Sequence, residues 1–127
     1  MKRSRFVCGW VAGLTFRVGR GGPTLPSPAA PEQARQALRS ALDAWQRGEK
    51  SESLRGGAPP IHVIDGDWDR DLRLARYQLA PDDRASGPNL LCPVQLSLRD
   101  GRGRSFNKRV VYLVGTDPHV SIVREEQ

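Results

Sequence analysis

"PEQARQALRSALDAWQRG", residues 31–48, decides the fold: Ala34, Ala37, Leu38, Ala41, Leu42 and Trp45 recur at the spacing of one continuous helical face. Pro31 fits the first turn of such a helix, where its missing N–H costs nothing. Glu32 suits the positive end of the dipole, and Gly48 can supply a left-handed stop. The alanines on the stripe let the helix approach closely whatever it covers, and Trp45 is its largest contact.

What it covers lies downstream. After Pro59 the pattern changes to β-branched and aromatic runs separated by turn residues. Five strands are expected: "IHVI" (61–64), "LRLARYQLA" (72–80), "LLCPVQLSLR" (90–99), "FNKRVVYLVG" (106–115) and "HVSIVRE" (119–125). "APDDRASGPN" (80–89) reads as a loop, "DGRG" (100–103) as a hairpin connection and "GTDP" (115–118) as the last bend. Val94, Leu96 and Leu98 alternate with Gln95, Ser97 and Arg99, so one face of the sheet is dry and the other wet. The unbroken apolar run Val110 to Val114 belongs in the middle of the sheet. The apolar parity changes between Leu74 and Tyr77, which implies a bulge near Ala75 or Arg76. The expected fold class is α+β, one amphipathic helix packed on a four- to five-stranded antiparallel sheet in a cystatin-like arrangement. No βαβ rhythm is present, which argues against a parallel nucleotide-binding sheet.

Upstream of the helix the composition shifts. "GGPTLPSPAAP" (21–31) has no periodicity and reads as a linker, so residues 1–31 form an arm and residues 32–127 a single domain. The arm holds five of the 20 basic residues and no acid; the other 15 face 14 acids. The net charge of +6 therefore belongs mostly to the arm. Residues 2–16 have the basic start and apolar run of a weak leader, although Gly9 and Gly13 interrupt the run and Arg17 follows it. A cytoplasmic location is expected if the arm is not a signal, and an envelope or periplasmic one if it is. The run is too short for a transmembrane span.

"DAWQ" (43–46), "IHVIDGDW" (61–68) and "VVYLVGTDP" (110–118), in that order, resemble a group of short bacterial proteins of planctomycete type. The resemblance spans roughly residues 32–125. It implies an outline similar to the cystatin-like folds and to the cone-shaped folds named after the nuclear transport factor. The group has no assigned chemistry, so no functional residue follows from it.

Three stretches carry candidate chemistry. "IDGDWDRDL" (64–72) places Asp65, Asp67, Asp69 and Asp71 at alternate positions. Asp65, Asp67 and Asp69 match the opening of a calcium loop, but Arg70 stands where its glycine belongs and Arg76 where its closing glutamate belongs. Three arginines, Arg70, Arg73 and Arg76, nearly balance the four acids, and the run is read as a solvated, self-paired turn. His62 and Asp65 could form an acid–base pair at a pocket mouth, an alternative in which the protein is a small enzyme. His62 alternates with Ile61 and Val63 and is expected to face outward. Arg99, Arg102, Arg104, Lys108 and Arg109, with Phe106 among them, are candidate anion contacts. Weak nucleic-acid binding through the basic arm and the 99–109 hairpin is a further alternative, disfavoured because one aromatic gives little stacking; the charges are read as guarding a hairpin edge.

Cys8 and Cys92 are too far apart and too isolated from histidine to suggest a zinc site, and Cys92 reads as a small buried residue. No glycine-rich run has the ending of a phosphate loop. The expected function is a non-enzymatic binding or structural module without cofactor, envelope-associated if the arm is a leader; the sequence does not specify its partner, for which another protein is a candidate.

Overall fold

A computed structural model describes residues 27–125. The leader-like segment, Cys8 and most of the linker lie outside the described residues. Helix α1 spans Pro31–Gln46, with Pro31 in its first turn, and buries Ala34, Leu38, Ala41, Leu42, Ala44 and Trp45. A 3₁₀ helix follows at Ser51–Gly56, then strand β1 at Ile61–Ile64 and a short helix α2 at Gly66–Asp69. The remaining strands are β2 Arg73–Leu79, β3 Arg84–Ser86, β4 Asn89–Arg99, β5 Ser105–Gly115 and β6 Val120–Arg124.

The strands form one sheet in the order β1-β6-β5-β4-β2, with β3 paired beside β4. β5 lies at the middle of that order, as its unbroken apolar run requires. The inward set is Leu90, Cys92, Val94, Leu96 and Leu98 on β4, Val110, Tyr112 and Val114 on β5, and Val120 and Ile122 on β6. Together with the α1 stripe and Trp68 it makes one continuous core. Between Leu74 and Arg76 the β2–β4 register skips Ala75. This bulge places Leu74, Tyr77 and Leu79 opposite Leu98, Leu96 and Val94, restoring one dry face. Tyr77 then reaches α1, its hydroxyl donating to Asp43 Oδ1 at 2.7 Å. Burial and the Asp43 carboxylate push that phenol up to about 12.

Three expectations need correction. The sheet has six strands rather than four or five, and it is not wholly antiparallel. β1 pairs in parallel with β6, from Ile61 opposite Val120 to Ile64 opposite Val123. A short apolar strand far ahead of its partner in sequence carries no mark of direction, so order along the chain does not give its order in the sheet. Third, part of the expected loop 80–89 is β3, with Ala85 opposite Leu90. Three exposed residues show no apolar alternation by which to recognise a strand.

The domain also begins before residue 32. Ser27 N–H donates to Asp117 Oδ2 at 2.7 Å, and Ala29 N–H to Pro88 O at 3.1 Å. Cys92 is 2% exposed, and burial, with Asp83 adding to it, pushes its thiol up to about 11. It is therefore protonated and inert near neutrality.

Gly48 ends α1 at φ +83, and its N–H donates to Trp45 O. An alanine there is strained whatever space surrounds it. Gly48→Ala is expected to destabilise the domain by about 1 kcal/mol, read from the midpoint of urea unfolding.

Candidate functional site

The acidic run is a solvated turn only in part: Asp69 and Asp71 are exposed and Arg70 pairs with Asp67, as expected of it. Asp65 and Asp67 are 1% and 3% exposed. Ile61, Val63 and Asp65 share the inward parity of β1, so the pleat that buries the two aliphatic side chains carries the carboxylate in with them. There Asp65 caps α2. Its Oδ1 accepts from the backbone N–H of Asp67 at 3.0 Å and of Trp68 at 3.3 Å.

Most of the partners come from strands distant in sequence, Arg124 on β6 and Lys108 and Tyr112 on β5. Arg124 Nη2 lies 2.7 Å from Asp65 Oδ1 and 3.0 Å from Asp67 Oδ2, bridging the two carboxylates. Tyr112 donates its hydroxyl to Asp65 Oδ2 at 2.5 Å. Lys108 Nζ reaches Asp67 Oδ2 at 2.8 Å, and Arg70 Nη2 reaches Asp67 Oδ1 at 2.6 Å. The Arg124 guanidinium also lies over the Tyr112 ring, 5.5 Å from its centroid. Donors outnumber acceptors, and Arg124 Nε makes no hydrogen bond among the described residues.

Ionisation follows from this geometry. Burial would raise the Asp67 carboxyl, but the hydrogen bonds from Lys108, Arg70 and Arg124 outweigh it and hold the group down at about 2. The Tyr112 phenol is driven far above its ordinary range by burial, reinforced by the Asp65 charge. Because Asp67 is more acidic folded than unfolded, the unfolded chain takes up its proton first as pH falls. Its stabilisation is complete above the ordinary carboxylate value of 3.8 and is lost as pH falls through about 2. On the order of 2 kcal/mol is expected to disappear across that window. Asp67→Asn should flatten this part of the curve, as measured by urea midpoints at successive pH values.

The structure separates the residues proposed for catalysis. His62 lies on the outward face of β1 beside His119, ring centroids 4.7 Å apart, while Asp65 points inward. Asp65 already accepts four hydrogen bonds. The three candidate metal ligands also part company, since Asp69 turns to the Ser51 hydroxyl at 3.0 Å. Among the described residues no three His, Cys, Asp or Glu side chains converge as cation ligands do. The basic hairpin is dispersed likewise. Arg104 pairs with Asp100, Arg109 with Asp82 of the loop after β2, and Lys108 turns inward to Asp67, so among the described residues only Arg99 and Arg102 of the set make no salt bridge. Two hydrogen bonds from the backbone N–H groups of Arg104 and Arg102, with the Arg104 guanidinium, lower the Asp100 carboxyl and shape the turn.

Beside the buried cluster lies an open cleft that sequence reasoning missed. Its volume is roughly 260 Å³, and it runs between the 48–52 segment and the 69–73 segment. Trp45 and Trp68 stack beneath it, 5.2 Å apart and 5° from parallel. Each indole holds one wall. Trp68 Nε1–H donates to Glu49 O at 2.9 Å, and Trp45 Nε1–H donates to Leu72 O at 2.8 Å. Lys50, Glu52, Asp71 and Arg73 also line the cleft. Trp68 was the available signal, being an aromatic inside an acidic run with no other reason to be there.

A scan against protein-family models finds no match, and a search of curated proteins finds none either. Among solved structures the chain is similar to a crystal structure described as an NTF2-like protein of unknown function from Burkholderia pseudomallei K96243. The identity is 18%, the TM-score 0.45, and the match covers 74% of this chain and 90% of that one. Among the described residues no helix is long and apolar enough to cross a membrane.

Proposed function

We propose that the domain is a non-enzymatic binding module whose recognition surface is the cleft above the Trp45–Trp68 stack. The observation that carries this reading is the pair of indole hydrogen bonds, which fixes both walls of an open concavity to the core. Walls held in advance lose little freedom on binding, so contacts made there count more fully toward affinity. The side chains round the rim supply both signs of charge for orientation. The buried ionisable groups support the same reading. Asp65 and Asp67 spend their oxygens on Tyr112, Arg124, Lys108, Arg70 and the α2 backbone, whereas a general base must offer a lone pair to substrate.

The test is a titration of the isotopically labelled full chain with pooled peptides and small metabolites, followed through backbone amide resonances. Saturable shifts are expected at residues 48–52 and 71–73. Shifts confined to other surfaces would overturn the cleft as the site. Turnover of a pool component that disappears in His62→Ala would overturn the non-enzymatic reading.

A further inference from the structure

The outward face of the sheet is divided. At one end it carries Arg76, Gln78, Gln95, Ser97, Asn107 and Arg109, the wet face its alternation predicts. At the other end the cross-strand register lines up four aliphatic residues. Ile64 lies opposite Val123, Val123 opposite Leu113, and Leu113 opposite Leu91. Ile64 is 62% exposed and the other three are half-buried. Helix α1 lies on the opposite face, against the core side chains. Four aliphatic side chains thus form one contiguous apolar row across four strands on the outward face.

The described chain enters the fold beside this row. Ser27 is held by Asp117, in the turn that follows the strand of Leu113, and Ala29 by Pro88, next to the start of the strand of Leu91. Upstream, residues 6–16, "FVCGWVAGLTF", carry no charge, and ten residues, 17–26, separate them from Ser27. Ten residues reach up to roughly 35 Å, whereas the row spans three strand spacings, about 14 Å. We propose that the apolar end of this face is the docking site for residues 6–16 of the same chain. A tethered segment meets the face at an effective concentration in the millimolar range. A second copy must compete from free solution. Arg5 and Arg17 flank the segment, and Asp117, in the turn after the strand of Leu113, and Glu125, directly after the strand of Val123, carry the opposite charge. This gives the apolar run a use within the chain that does not call on export.

Cys8 lies in the segment and Cys92 is buried, so a paramagnetic label can be placed on Cys8 of the full chain. The amide resonances of Leu91, Leu113 and Val123 are expected to lose at least half their intensity while those of Gln95, Ser97 and Asn107 are spared. Ile64→Lys and Leu113→Lys should each abolish the effect; the exposure of Ile64 keeps the first variant folded if the second is not. In the unlabelled full chain, amide exchange over residues 6–16 should accelerate at least tenfold in Ile64→Lys. Absent or uniform broadening, or exchange unchanged by that substitution, would overturn the proposal. Broadening that persists when isotopically labelled chain without spin label is mixed with spin-labelled chain would assign the face to a second copy instead.

Discussion

Asp65→Ala is expected to destabilise the domain by about 3–5 kcal/mol, the range for breaking a buried ion pair by removing one partner. Three separate losses contribute. The N–H groups of Asp67 and Trp68 lose their cap, which alone costs about 1 kcal/mol. The Tyr112 hydroxyl, in a side chain 1% exposed, loses its acceptor, at about 1–3 kcal/mol. Arg124 keeps Asp67 as its only described carboxylate, so a buried guanidinium is left half-compensated. Asp65→Asn separates these losses. The amide retains an oxygen for the cap and its nitrogen can donate to the Tyr112 hydroxyl oxygen, so the charge and the acceptor for the Tyr112 O–H are lost, and about 1–3 kcal/mol is expected. Adding Tyr112→Phe to Asp65→Ala removes the orphaned hydroxyl and should recover about 1 kcal/mol. Chemical denaturation of the four proteins measures all of this. An Asp65→Ala protein within 1 kcal/mol of the parent would mean that water reaches the cluster as readily as it reaches the surface.

The contrast between fold and site shows what a sequence makes visible. The α1 stripe, the β2 bulge, the central place of β5 and the Gly48 stop were all legible because each is local: a period, a break in parity, a run, a turn residue. The parallel β1–β6 edge was hidden because it joins residues about sixty positions apart with no pattern to announce it. The buried carboxylates are hidden for a related reason. An alternating acidic run balanced by three arginines looks self-neutralising, but Asp65 finds its cation at Arg124 and Asp67 one of its cations at Lys108. Those two cations held the clue. Arg124 continues the inward alternation of Val120 and Ile122, and Lys108 that of Val110 and Tyr112. A cation on the dry side of a strand needs an anion brought to it, since a buried charge stays only where it is paired. Reading parity along β5 and β6, rather than charge along the acidic run, would have placed the two acids inside.

Trp68→Ala is the second large effect expected, about 3–5 kcal/mol for truncating a buried aromatic to a methyl. Trp68 is 6% exposed, stacks on Trp45 and anchors the Glu49 carbonyl, so its loss opens the core beneath the cleft and releases one wall above it. Trp68→Phe distinguishes the two contributions. The phenyl ring retains much of the stack but cannot donate to Glu49 O, and the lost hydrogen bond is worth about 1 kcal/mol. If the indole N–H is what holds the wall, amide exchange at residues 49–52 will accelerate in Trp68→Phe nearly as much as in Trp68→Ala, although the phenylalanine variant remains the more stable. Ligand affinity at the cleft should then fall in both variants, because the wall must be ordered again at each binding event. If packing alone holds it, exchange in Trp68→Phe will match the parent, and the cleft will keep its shape without the hydrogen bond on which the binding reading rests.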